Sequence, residues 1–114
     1  MIKNYNYHIN YVIMHLDSNT QTEKDTMTLR HMRIFIVVYQ EMNITKASNK
    51  LHMTQPAVTR AIKEIETHYD IQLFERLNHK LYRTRISDEL YSHALHIVNS
   101  FEVMEAAIKH SENY

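Results

Sequence analysis

The sequence predicts a mainly α-helical domain with one small two-stranded hairpin, and three observations carry that expectation. First, the 114 residues contain no glycine and a single proline, Pro56. Tight β-turns and phosphate-gripping loops use glycine for positive φ, so an all-β fold and a glycine-rich nucleotide loop are both disfavoured. Second, between residues 29 and 109 apolar side chains recur at steps of three and four, the period of helices with one buried face. Third, residues 71–76 and 80–84 break that period and read as two short strands. The length suffices for one modest core.

Taken in order, residues 1–26 are rich in Asn, Tyr and His and end in a polar run. They are expected to form a poorly ordered extension, with a short helix around Tyr11 to Leu16. A first helix is predicted over residues 29–41 with Thr28 as N-cap, turning Leu29, Met32, Phe35, Ile36, Tyr39 and Met42 to the core. Asn43 interrupts the pattern, and a second helix follows over residues 44–51 with Ala47 and Leu51 inward. After the turn His52-Met53-Thr54, a third helix starts with Thr54 as N-cap. Pro56 lies in its first turn, where a missing N–H costs nothing. Ala57, Val58, Ile62 and Ile65 point inward, and the helix ends near His68-Tyr69. The two strands are joined by Leu77-Asn78-His79, of which Asn78 best tolerates a left-handed conformation.

A long last helix is predicted over residues 87–109. Leu90, Ala94, Ile97, Phe101, Met104 and Ile108 are spaced alternately by four and three, a heptad seam. Asp88, Glu102 and Glu105 flank it, so the narrow stripe suits a partner helix, and a homodimer is expected through those six residues.

The formal net charge is zero, but it is unevenly placed. Residues 30–85 hold ten basic and five acidic side chains, a net +5, while residues 86–114 carry −4. That asymmetry suits a domain that meets phosphate with one part only. Without cysteine there is no disulfide and no thiolate site. No apolar run suggests a membrane span or signal peptide, so no membrane partner is expected and the cytoplasm is the expected location. His93 and His96 are three apart but lack a third ligand, and no metal or cofactor is expected. Glu64 and Glu66 fall on different helix faces, and no Ser-His-Asp set is visible, so the chain does not read as an enzyme.

The second and third helices, joined by a tight turn, form a helix-turn-helix over residues 44–63. Ala47 supplies the small residue where the two helices cross. Gln55, Thr59, Arg60 and Lys63 lie along one face of the third helix, with groups that match base edges: Gln suits adenine, Arg suits guanine, and Thr suits either. Lys46 and Lys50 on the preceding helix are suited to phosphate.

These residues resemble the LysR-type transcriptional regulators. The resemblance is carried by Met27-Thr28-Leu29-Arg30-His31-Met32-Arg33-Ile34-Phe35, and by the stretch from Ile44 to Lys63 with its Gln55-Pro56-Ala57-Val58-Thr59-Arg60 element. Glu64-Ile65-Glu66 and Leu73-Phe74-Glu75-Arg76 fit the same pattern, so the likeness spans residues 27–84 and the helix after them. It implies a winged helix-turn-helix over residues 27–85, a linker helix over 86–114 that dimerises, and half-sites of double-stranded DNA in successive major grooves. The recognition helix would be residues 55–68, with base contacts from Gln55, Pro56, Thr59 and Arg60. Backbone contacts would fall to Thr45, Thr54, Lys63 and, in the wing, Arg76 and Lys80, alongside Lys46 and Lys50. The chain departs from the pattern at Asn78 and Ser87, where the family has glycine, and at Arg83, where it has leucine. The effector-binding domain of the family is not in this sequence, so no small-molecule effector site is expected. Two functions follow: a dimeric regulator that binds an operator, or a truncated interaction module that pairs with a full-length relative through the linker helix without productive DNA binding.

Overall fold

Six elements succeed one another in the computed structural model, which describes residues 27–111. They are α1 (Leu29–Glu41), α2 (Ile44–Leu51), α3 (Gln55–Tyr69), β1 (Phe74–Leu77), β2 (Lys80–Arg83) and α4 (Arg85–Ser111). The expected extension over residues 1–26, with its helix near Tyr11 to Leu16, lies outside the described residues, as do residues 112–114.

Each helix of the first three begins on a side chain suited to satisfying orphan N–H groups. Thr28 Oγ1 accepts from the His31 N–H at 3.2 Å while His31 Nδ1 accepts from the Thr28 N–H at 3.3 Å, a reciprocal cap with histidine in the place glutamate often fills. Asn43 Oδ1 accepts from the Lys46 N–H at 2.9 Å, and Thr54 Oγ1 from the Ala57 N–H at 3.2 Å. Glycine being absent, the helices end on other residues in the left-handed region: Met42, His52 and Asp70, with φ of 51°, 55° and 53°.

The core is built around α1, which packs against α2, α3 and α4. It therefore buries Ile34 and Val38 in addition to Phe35 and Ile36, more than the single face the spacing predicts. Ala47 is fully buried and lets α2 approach closely, while Leu51 and Ala57 are only half-buried. From α3 come Val58, Ala61, Ile62 and Ile65.

The first strand differs from expectation. Ile71-Gln72-Leu73 is an irregular connector, and pairing begins only at Phe74, in the antiparallel register Phe74↔Arg83 to Leu77↔Lys80. The connector is pinned elsewhere: Glu66 Oε2 accepts from the Leu73 N–H at 2.7 Å, and Thr84 Oγ1 donates to the Gln72 carbonyl at 2.7 Å. Leu73 is thereby held in the core with no exposure. Leu77 belongs to the strand, leaving a two-residue turn in which both Asn78 (φ 53°) and His79 (φ 64°) are left-handed, the geometry that suits a hairpin's twist.

Thr84 also sets the start of α4, two residues earlier than predicted, by accepting from the Ser87 N–H at 3.3 Å. Ser87 is buried and returns its hydroxyl to the Thr84 carbonyl at 2.7 Å. Along α4, Ser87, Ala94 and Val98 are buried. Among the described residues no helix is long and apolar enough to cross a membrane.

Candidate nucleic-acid interface

Helix α3 offers one face to the core and the opposite face to solvent. The solvent face forms a groove lined by Gln55, Pro56, Thr59, Arg60, Lys63 and Thr67, with Ile44 of α2 on one side and Arg76 of β1 on another. A second groove continues it toward the wing and brings together Thr45, Lys46, Gln55, Arg76, His79 and Lys80. The two share Ile44, Gln55 and Arg76. All four candidate base-contacting residues thus line one concave surface, and five of the seven candidate backbone-contacting residues border it: Thr45, Lys46, Lys63, Arg76 and Lys80.

The other two are engaged within the chain. Thr54 gives its hydroxyl to the α3 cap, and Lys50 Nζ lies 2.9 Å from Glu41 Oε2. Lys50 is exposed, so this is a surface ion pair of small energy that a phosphate can displace.

Arg60 is the most solvent-exposed of the ion-paired groups, with 82% of its side chain accessible, and its Nε stands 3.9 Å from Glu64 Oε2. Glu64 is shared: its Oε1 also meets His31 Nε2 of α1 at 3.1 Å. Glu64, Thr67 and His79 also line this surface, where the sequence predicts no contact role for them. Thr67 was within reach of the helical pattern, because it continues the stripe by four from Lys63. Glu64 and His79 owe their positions to tertiary packing and the turn geometry, which spacing does not report.

The seam on α4 divides in two. Ala94 is 1% exposed and belongs to the chain's own core, where its small side chain lets α4 lie against α1. It is therefore corrected from the exposed seam, and Val98, which the seam omitted, is buried beside it. Leu90 and Phe101 are half-buried, while Ile97, Met104 and Ile108 remain 43%, 51% and 57% exposed. Ile86 extends this open stripe by one turn at the start of the helix. Among the described residues no group of three His, Asp or Glu side chains is placed to hold a metal ion.

Comparison with known proteins agrees with this geometry. The family model for bacterial regulatory helix-turn-helix proteins of the lysR family matches residues 29–86. The HTH-type transcriptional regulator CfxR of Cupriavidus necator is 34% identical over 83 residues, covering 73% of this chain and 26% of its own length. BenM of Acinetobacter baylyi is likewise 34% identical over 83 residues, covering 73% of this chain and 27% of its own. The chain therefore spans about a quarter of the length of these relatives. Among solved structures, the BenM DNA-binding domain in complex with catB site 1 DNA superposes with a TM-score of 0.74 at 32% identity. That match covers 77% of this chain and 99% of the other. The same domain with benA site 1 DNA gives 0.70 at 33% identity, over 74% and 98%. Fold, groove and sequence converge: the chain belongs to the lysR family of bacterial regulatory helix-turn-helix proteins, and residues 27–111 hold a winged helix-turn-helix with the helix that follows it.

Proposed function

We propose that two copies of this chain bind operator DNA and regulate transcription, each placing residues 55–68 in a major groove. The observation that carries the reading is the single concave face joining Gln55, Pro56, Thr59 and Arg60, bordered by Lys63 and Arg76 and open to solvent. In this reading Gln55, Thr59 and Arg60 meet base edges, and Pro56 packs against them from the start of the helix. Thr45, Lys46, Lys50, Thr54, Lys63, Arg76 and Lys80 hold the phosphate backbone on either side. Residues 27–85 form the DNA-binding unit and residues 86–114 the linker, pairing with a second copy through the stripe of Leu90, Ile97, Phe101, Met104 and Ile108, of which Ile97, Met104 and Ile108 are exposed. Exposed apolar side chains in a line along a helix are better covered than left in water.

Salt dependence tests the reading. Lys46, Lys63, Arg76 and Lys80 border the grooves without a described acidic partner within ion-pair distance. Two copies bring eight such cations, so log affinity plotted against log salt should fall with a slope of about −7, from about 0.9 counterion released per phosphate neutralised. A slope near zero would overturn the proposal.

A further inference from the structure

Where β2 ends, three elements meet at Tyr39 of α1. Arg83 Nη2 and Nε donate to the Tyr39 carbonyl at 2.6 and 3.2 Å, and the guanidinium lies 4.2 Å from the centre of the Tyr39 ring. The same ring stacks on Tyr91 of α4 at 3.8 Å, with 12° between the planes. Tyr39 Oη donates to Asp88 Oδ1 at 2.6 Å, and Gln40 Nε2 donates to Tyr91 Oη at 2.9 Å. That hydrogen bond to Asp88, with some desolvation, raises the Tyr39 phenol above its ordinary pKa, as expected for a proton held in the clamp. Backbone, ring face and hydroxyl of one residue thus tie the wing, α1 and the first turns of α4 together.

We propose that Arg83 is a positioning residue that fixes the angle between α4 and the DNA-reading unit, and with it the half-site spacing the dimer accepts. The inference rests on the dimeric reading above. If copies pair through α4 and read through α3, the distance between their reading helices depends on how α4 leaves each domain. At 27 residues α4 is about 40 Å long at 1.5 Å per residue. A swing of about 10° at its base therefore moves the far end by about 7 Å, roughly two base pairs at about 3.4 Å each. Half-sites must lie about one helical turn apart or a multiple of it. A junction that loose would let neighbouring spacings bind, whereas a guanidinium forked onto a carbonyl and set over a ring resists the swing in two directions.

The test uses the full chain and duplexes carrying two half-sites at separations changed one base pair at a time. The wild type should prefer one separation at least about tenfold over those two base pairs away, the scale of a misplaced contact. Arg83→Leu should flatten that preference to about threefold or less while binding to an isolated half-site stays within about twofold. Arg83→Lys keeps the charge near the ring but loses the fork and should fall between them, which also covers the case of a leucine variant that fails to fold. An Arg83→Leu profile as sharp as the wild type overturns the inference and leaves the dimer standing. A flat wild-type profile overturns the dimeric reading and the inference with it.

Discussion

Replacing Arg60 by alanine separates base reading from simple attraction to phosphate. Among the described residues Arg60 pairs with Glu64, at 3.9 Å, and 82% of its side chain is accessible to water. Such an i,i+4 surface pair contributes about 0.2–0.5 kcal/mol, so releasing it for DNA costs little. A bidentate arginine–guanine contact contributes about 1–3 kcal/mol of discrimination, several times more. Arg60→Ala should therefore weaken each half-site by roughly 5- to 150-fold, at about 1.4 kcal/mol per tenfold, and relax preference at one base position. Because Arg60 is exposed, stability should change by less than about 0.5 kcal/mol, so the melting temperature should shift by no more than a few degrees. Lys63→Ala provides the contrast: a loss that is uniform across sequences, with a salt slope shallower by about one per copy. The assay is titration of labelled duplexes bearing the preferred base or each alternative, at several salt concentrations. If Arg60→Ala weakens every duplex equally and reduces the salt slope as Lys63→Ala does, Arg60 contacts phosphate and the assignment is wrong.

Other outcomes are open to direct measurement. Glu66→Ala leaves the buried-side Leu73 N–H without its 2.7 Å acceptor, so stability should fall by about 1–3 kcal/mol, read from the urea midpoint; an unchanged midpoint would show the connector is held by Thr84 alone. Ile97→Glu with Met104→Glu puts charge on the open stripe of α4 without touching the core, so sedimentation at micromolar concentration should move from dimer to monomer while the helical signal persists. A wild type that already sediments as a monomer at tens of micromolar would rule out the dimer. The Tyr39 hydroxyl, held protonated by Asp88, ionises above its ordinary value of 10.0. A raised folded-state pKa means the contribution to stability is complete below that ordinary value and is lost as pH climbs through the raised one. Phenolate absorbance should accordingly show one tyrosine titrating earlier in Asp88→Asn than in the wild type; coincident curves would remove the carboxylate as the cause.

Much of the fold is legible in local chemistry. Thr28, Asn43 and Thr54 are capping residues placed at the starts of the helices, and Pro56 fits only a first turn or a break. The ends of the first three helices also fall where the sequence places them, at Glu41, Leu51 and Tyr69, although Met42, His52 and Asp70 adopt the left-handed conformation without the glycine that usually announces it. Residues 71–73 look like strand because they alternate, yet Leu73 is bound downward by Glu66 and Thr84, a tertiary demand that outweighs propensity. The seam on α4 mixes two neighbouring faces for a similar reason. A 3-4 spacing spans an arc wide enough to include both Ala94, turned to α1, and Ile97, turned to water.

The site divides along the same line. Gln55, Thr59, Arg60 and Lys63 follow from the helical period alone, since the core face of α3 fixes the opposite one. Pairings between distant positions do not follow: His31 with Glu64, Lys50 with Glu41 and Arg83 with Tyr39 depend on how helices and wing are packed.

Selection of bound sequences from a random DNA library asks whether the exposed face of α3 reads bases in the major groove. The expected pool is enriched in two half-sites related by a twofold axis, with a base position that Arg60→Ala leaves unselected. A pool that binds but keeps the base composition of the starting library would contradict that reading of bases.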